Sequence, residues 1–240
     1  MGQLGTKAAS IRGAESATTR VHSWTFAATA SLGWALFTFT VLHIVSSFDP
    51  LTDPVSRYAF TDRGQGMLEA TLLSFAVGVV AVRGALLASG LTVSRTATIL
   101  VFAAATGLVA AALFPATFTS DIDPVSGVIH QYASLIAFLS VPGIALCLLD
   151  QLREAGDALR DTRRALLRLA WVSVALLVLF GATYLADKVP ADTFPLSTPL
   201  TLFGSLPEGL VQRLVFVADF ALLAALLVLA NRAAWARASR

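Results

Sequence analysis

Cysteine is all but missing from this 240-residue chain, where Cys147 stands alone. One thiol excludes a disulfide framework or a thiolate metal centre built within a single chain. Charge is scarce too: Asp, Glu, Lys and Arg together make up 13 % of the residues, against roughly 25 % in ordinary soluble domains. Histidine occurs three times. The local signatures of common hydrolases and nucleotide binders, HExxH, GxSxG and a glycine-rich phosphate loop, do not occur. The formal net charge of +2 calls for no nucleic acid partner.

What fills the chain instead is apolar. Hydrophobic residues reach 56 % and the mean hydropathy is +0.75. Six runs, near 24–46, 66–88, 95–116, 128–149, 165–186 and 209–231, are each long enough to cross a hydrocarbon layer. They are too long for strands and mostly rich in Ala and Leu, so helices are the spanning element. The expected fold class is all-α: a polytopic membrane protein with a six-transmembrane-helix bundle. The first run is too long for a signal-peptide core and no small-residue processing site follows it. Residues 1–20, rich in Ala, Gly, Ser and Thr, read as a flexible cytoplasmic tail, and 21–240 as the six-helix domain.

Orientation follows from Lys and Arg. The N-terminal tail carries three, the second connection two, the fourth five and the C-terminal end three, which places 13 of the 17 on one side. Arg57, Arg63, Lys188 and Arg213 form the other group. The basic side is expected to be cytoplasmic, so both termini should be cytoplasmic too. Trp24, Trp171 and Trp235 fall at the same inner ends, where indole rings prefer to lie. Contact with anionic headgroups accounts for the basic inner face. The segment 150–170, with Arg153, Asp157, Asp161 and Arg164 at helical spacing, reads as a solvated, charged helix extension; its acids dilute any claim for a phosphoinositide patch.

Polar groups collect at the opposite ends. DPVS occurs at 53–56 and again at 123–126, each time near a histidine, His43 and His130. Asp49, Asp53, Ser56, Glu69, Asp121, Asp123, Gln212 and Arg213 fall at the same level of the bundle. Imidazole and carboxylate suit Zn²⁺, and a histidine beside a carboxylate suits a general base. The catalytic candidates are therefore His43, His130, Asp121, Asp123, Glu69 and Arg213, and the metal candidates His43, His130, Asp121 and Asp123. Against this stands a plainer duty. Asp and Ser around proline make turns and helix caps, and histidines join helices. Deeper in, Asp219 lies about 15 Å along its helix from Gly209, where an isolated aspartate costs about 2.5–3.5 kcal/mol; a bundle-facing position or a partner is expected. Pro142 with Gly143 marks a bend in the fourth helix, and Gly33, Gly78, Gly107 and Gly181 mark close helix approaches. The connection 187–208, with four prolines, reads as a lid over the outer cluster or an amphipathic cap.

His43 with DPLTDPVSRYAF, FP at 114–115 with Asp121, SGVIHQYAS at 126–134 and PEGLVQRLVF at 207–216 together resemble the domain-of-unknown-function 998 family, over roughly 24–232. The resemblance implies an integral membrane protein of about six helices with an outward polar cluster of His43, Ser56, Asp121, His130, Gln212 and Arg213. In that family the acid follows FP closely, whereas Asp121 lies six residues beyond Pro115, so Asp121 and Asp123 both stay open for the place. The family implies no activity. A looser similarity connects the chain to membrane-embedded zinc hydrolases of lipids that use three histidines; here a carboxylate would have to replace the third. Three functions remain: a lipid-binding or accessory membrane protein with membrane lipids or another membrane protein as partner; an outer-face hydrolase or transferase acting on a lipid or lipid-linked substrate, with or without a metal, Zn²⁺ being the candidate; and a small transporter or proton-coupled carrier using Asp219.

Overall fold

Proline and glycine punctuate the chain where its apolar runs stop. In the computed structural model, which describes residues 2–60, 66–118, 123–149, 152, 159–188 and 206–238, six helices fill the runs between them. They are α1 Gly2–Val45, α2 Met67–Ala88, α3 Arg95–Leu113, α4 Pro124–Leu149, α5 Arg160–Lys188 and α6 Glu208–Ala238, with a 3-10 turn at Val55–Phe60 between α1 and α2. Each contains a segment long and apolar enough to cross a membrane. The protein is a small all-α, multi-pass integral membrane protein.

The helices overlap the apolar runs and outrun several of them: α4 begins at Pro124, α5 at Arg160, and α6 continues to Ala238. The backbone of α1 is helical from Gly2, whereas 1–20 reads by composition as a loose tail; the membrane-length part begins only at Thr19. No proline precedes Pro50, so nothing interrupts an alanine-rich helix before the Asp49–Pro50 step. The α2–α3 hairpin closes through the Leu91 N–H on the Leu86 carbonyl, and Ser94 caps α3 by accepting from the Ala97 N–H at 3.1 Å. Asp123 caps α4 in the same way. Its Oδ1 accepts from the Val125 N–H at 2.9 Å, with Pro124 at the first helical position. Helix α4 then continues through the buried Pro142. The charged 150–170 segment is described at 152 and from 159 onward, and it is helical from Arg160. The proline-rich connection expected as a lid lies outside the described residues up to 205.

Sequential helices pack on one another, and α6 also packs against α1, α2 and α4, which makes it the hub. Its Leu222, Leu223, Leu226 and Leu229 are wholly buried. Small side chains bring helices close elsewhere. A Cβ on Gly107 would stand 2.6 Å from the Ala133 carbonyl oxygen, so α3 and α4 touch through backbone there. The outer surface of the bundle is apolar, with Phe26, Ile44, Leu113 and Val178 among many exposed residues. Water would penalise such a surface and lipid does not. Helix α5 is the most peripheral: 17 % of its span is buried, against 56 % for α2, α4 and α6.

Candidate functional site

Arg213 stands about one turn into α6, and the chain folds its surroundings around the guanidinium. Its Nε donates to His43 Nε2 at 2.6 Å and its Nη2 to the Tyr58 hydroxyl at 2.6 Å. Its Nη1 donates to the Asp53 carbonyl at 2.9 Å and to the Gly209 carbonyl at 2.7 Å. Four of the five N–H bonds that a guanidinium offers are thus made to neutral acceptors. On α1, His43 Nδ1 donates to the Phe39 carbonyl at 2.6 Å. That bond and the accepted one assign the imidazole as neutral with its proton on Nδ1. Both ring nitrogens are engaged.

The loop after α1 completes the cluster. Asp53 uses its carboxylate locally: Oδ1 pairs with Arg57 at 2.6 Å and Oδ2 accepts from the Asp49 N–H at 3.0 Å. Gln212 Oε1 accepts from the Val55 N–H at 2.6 Å, and the Leu51 carbonyl accepts from Leu210 N–H in the first turn of α6 at 2.8 Å. Gly209 permits this approach, because a Cβ there would fall 2.5 Å from the Asp53 carbonyl oxygen. Tyr58 is fully buried, edge-on to His43, stacked on Phe48 and under Arg213. Burial pushes its phenol above the ordinary value, and the adjacent Arg213 charge opposes the shift in part. Ser56 sits half-buried in the same 3-10 turn.

His130 belongs to a different junction. Its Nδ1 donates to the Ala111 carbonyl at 2.9 Å and the Phe114 carbonyl at 2.8 Å, which are unpaired acceptors at the C-terminus of α3. Ser126 donates to the Pro115 carbonyl at 2.9 Å. The two DPVS copies therefore do unlike work: the second caps α4 and ties it to α3, while the first builds the turn that covers α6. Among the described residues no hydrogen bond joins His43 to His130, and no group of three or more His, Cys, Asp or Glu is placed to hold a metal ion. Asp121, one of the expected ligands, lies outside the described residues. Asp123 is exposed, with Oδ1 on its own cap. Glu69, in the first turn of α2, has Oε2 buried and without a hydrogen-bond partner among the described residues.

Asp219 is fully buried in α6. Ser173 of α5 donates its hydroxyl to Asp219 Oδ1, and Oδ2 has no partner among the described residues. Gln212, seven residues earlier, turns to the loop after α1. Tyr58, Gly209 and Ser173 escape a reading of motifs. Tyr58 carried a weak signal, an aromatic hydroxyl beside the first DPVS, but nothing distinguishes Ser173 from other small residues of its apolar run.

The family described as protein of unknown function DUF998 matches residues 28–229. The chain belongs to the DUF998 family. That match contains the whole Arg213 cluster, from His43 to Arg213, and Asp219 with it. No curated protein and no solved structure matches the chain. Family membership agrees with the six-helix architecture and attaches no reaction to this DUF998 protein.

Proposed function

We propose that this protein works within the membrane as a lipid-binding or accessory protein, with its termini in the cytoplasm and the Arg213 cluster on the outer face. The distribution of 13 basic residues to one side supports that orientation. The observation that carries the rest is the bonding of Arg213. Histidine, phenol, two carbonyls and guanidinium are all used to fasten α1, the 53–58 turn and α6 together. A general base or a metal ligand needs a lone pair to offer, and His43 has already given both its nitrogens to the fold. Metal analysis of the detergent-purified protein, beside His43→Ala and His130→Ala variants, tests this. The expected result is substoichiometric zinc in all three and lowered melting temperatures in the variants. One zinc per chain, lost with His130→Ala, overturns the reading in favour of the hydrolase.

A second reading has its own observation. Asp219 places a carboxyl oxygen with no partner among the described residues inside the bundle, and intramembrane carboxyls commonly serve ion or proton movement. Proton flux into vesicles containing the protein, abolished by Asp219→Asn, is the result that favours a carrier; equal leakage of both proteins removes it.

A further inference from the structure

A groove of about 450 Å³ opens where the first turn of α5 meets the last turns of α6, lined by Leu159, Val228, Asn231, Arg232, Trp235 and Ala236. It lies at the opposite end of α6 from Arg213, and most of its lining falls beyond residue 229, where the family match stops. Its chemistry is graded. Val228, exposed and apolar, stands one turn nearer the membrane centre than Arg232, and the buried Leu159 forms part of the wall. Arg232 is held in place by donating Nη1 to Thr162 at 2.7 Å. Its guanidinium makes no other hydrogen bond among the described residues, so its remaining N–H groups stay open to a ligand. Arg163, next to Thr162 on the same turn of α5, has a buried Nε without a partner among the described residues. Trp235 is 78 % exposed, an indole at the depth where such rings sit among headgroups.

Arg232 is the one charged residue among those that line the groove, and no lining residue is acidic. The neighbouring 150–170 segment is mixed in sign, with five arginines against Asp150, Glu154, Asp157 and Asp161. Asp161 itself is exposed and 3.7 Å from Arg164. We propose that this groove binds an anionic glycerophospholipid of the adjoining leaflet, its phosphodiester on Arg232 and an acyl chain along Val228. A planar guanidinium suits phosphate oxygens, and basic recesses between helices on the cytoplasmic side suit anionic headgroups. The apolar wall and the exposed indole fit a lipid and have no use for a free phosphate ion. The inference rests on the lipid-binding half of the function proposed above and names its lipid class and its seat.

The test is native mass spectrometry of the full chain released from vesicles of equimolar dioleoyl-phosphatidylglycerol and dioleoyl-phosphatidylcholine. Retained phosphatidylglycerol should exceed phosphatidylcholine about five- to tenfold. Arg232→Gln and Ala236→Glu should each bring the ratio to about parity. Ala236→Glu leaves Arg232 in the chain and sets a carboxylate one helical turn from it, and it decides the matter if Arg232→Gln fails to fold. Millimolar inorganic phosphate should leave retention unchanged; full competition by it overturns the lipid as occupant. Equal retention of the two lipids by the wild type overturns the inference and leaves general lipid binding standing, whereas no retained lipid of either kind overturns both. Unchanged preference in both variants overturns the groove as the seat.

Discussion

At the scale of the residue, the Arg213 guanidinium shows how a charge is kept at a membrane boundary without a carboxylate. Its partners are dipoles held by three separate segments, so removing the cation takes a donor from His43 Nε2, the Tyr58 hydroxyl and the Asp53 carbonyl together. Each buried group left unsatisfied costs about 1–3 kcal/mol. Arg213→Ala should therefore lose at least about 2 kcal/mol in detergent unfolding, and Arg213→Lys should recover little, because an ammonium cannot span the same fork. Tyr58 provides a pH signature. Its folded phenol holds the proton more tightly than the unfolded one. Its contribution is complete below about pH 10 and falls as pH rises beyond that value toward the folded one. The difference between wild-type and Tyr58→Phe melting temperatures should stay constant from neutral pH to about pH 9 and shrink above pH 10. Of this cluster, His43, Gln212 and Arg213 were readable as polar residues at the end of apolar runs. Their mutual bonds were not, since His43 and Arg213 are 170 residues apart in sequence.

At the scale of the element, the junction of α3 and α4 depends on backbone contact. Gly107 meets the Ala133 carbonyl, and His130 closes the C-terminus of α3. A side chain at Gly107 must push the helices apart, so Gly107→Val should cost about 1–3 kcal/mol. At Gly33 a Cβ would meet no side chain and no backbone beyond its own turns of α1 within 4 Å among the described residues; Gly33→Ala should be neutral or should stabilise by up to about 1 kcal/mol through helix propensity. Paired thermal melts of the two variants check the contrast. Both glycines look alike in the sequence as small residues within apolar spans. Which one lies at a helix contact depends on rotation about the helix axis, and runs that are apolar all round carry no periodic signal for it. The recurring DPVS illustrates the same limit. Identical tetrapeptides received different partners because one precedes a helix start and the other follows a helix end by several residues.

At the scale of the whole molecule, α6 is the element that the others share, and it carries Arg213 at one end, Asp219 within and Arg232 at the other. Reporter fusions after residues 90, 118 and 238 check the proposed orientation: 90 and 238 should report the cytoplasm and 118 the outside. The number, length and helical nature of the spans were determined by the sequence by itself. The hydrocarbon layer demands about 20 apolar residues per crossing, with backbone hydrogen bonds closed inside each segment. Proline and glycine set most of the limits, and basic residues carry the signal for orientation. Only the tertiary structure decided that His43 bonds to Arg213 while His130 closes α3, that Asp219 meets Ser173, and that Arg232 borders a groove. Those pairings depend on how helices rotate and pack, and a uniformly apolar surface leaves rotation to shape and to a few scattered hydrogen bonds.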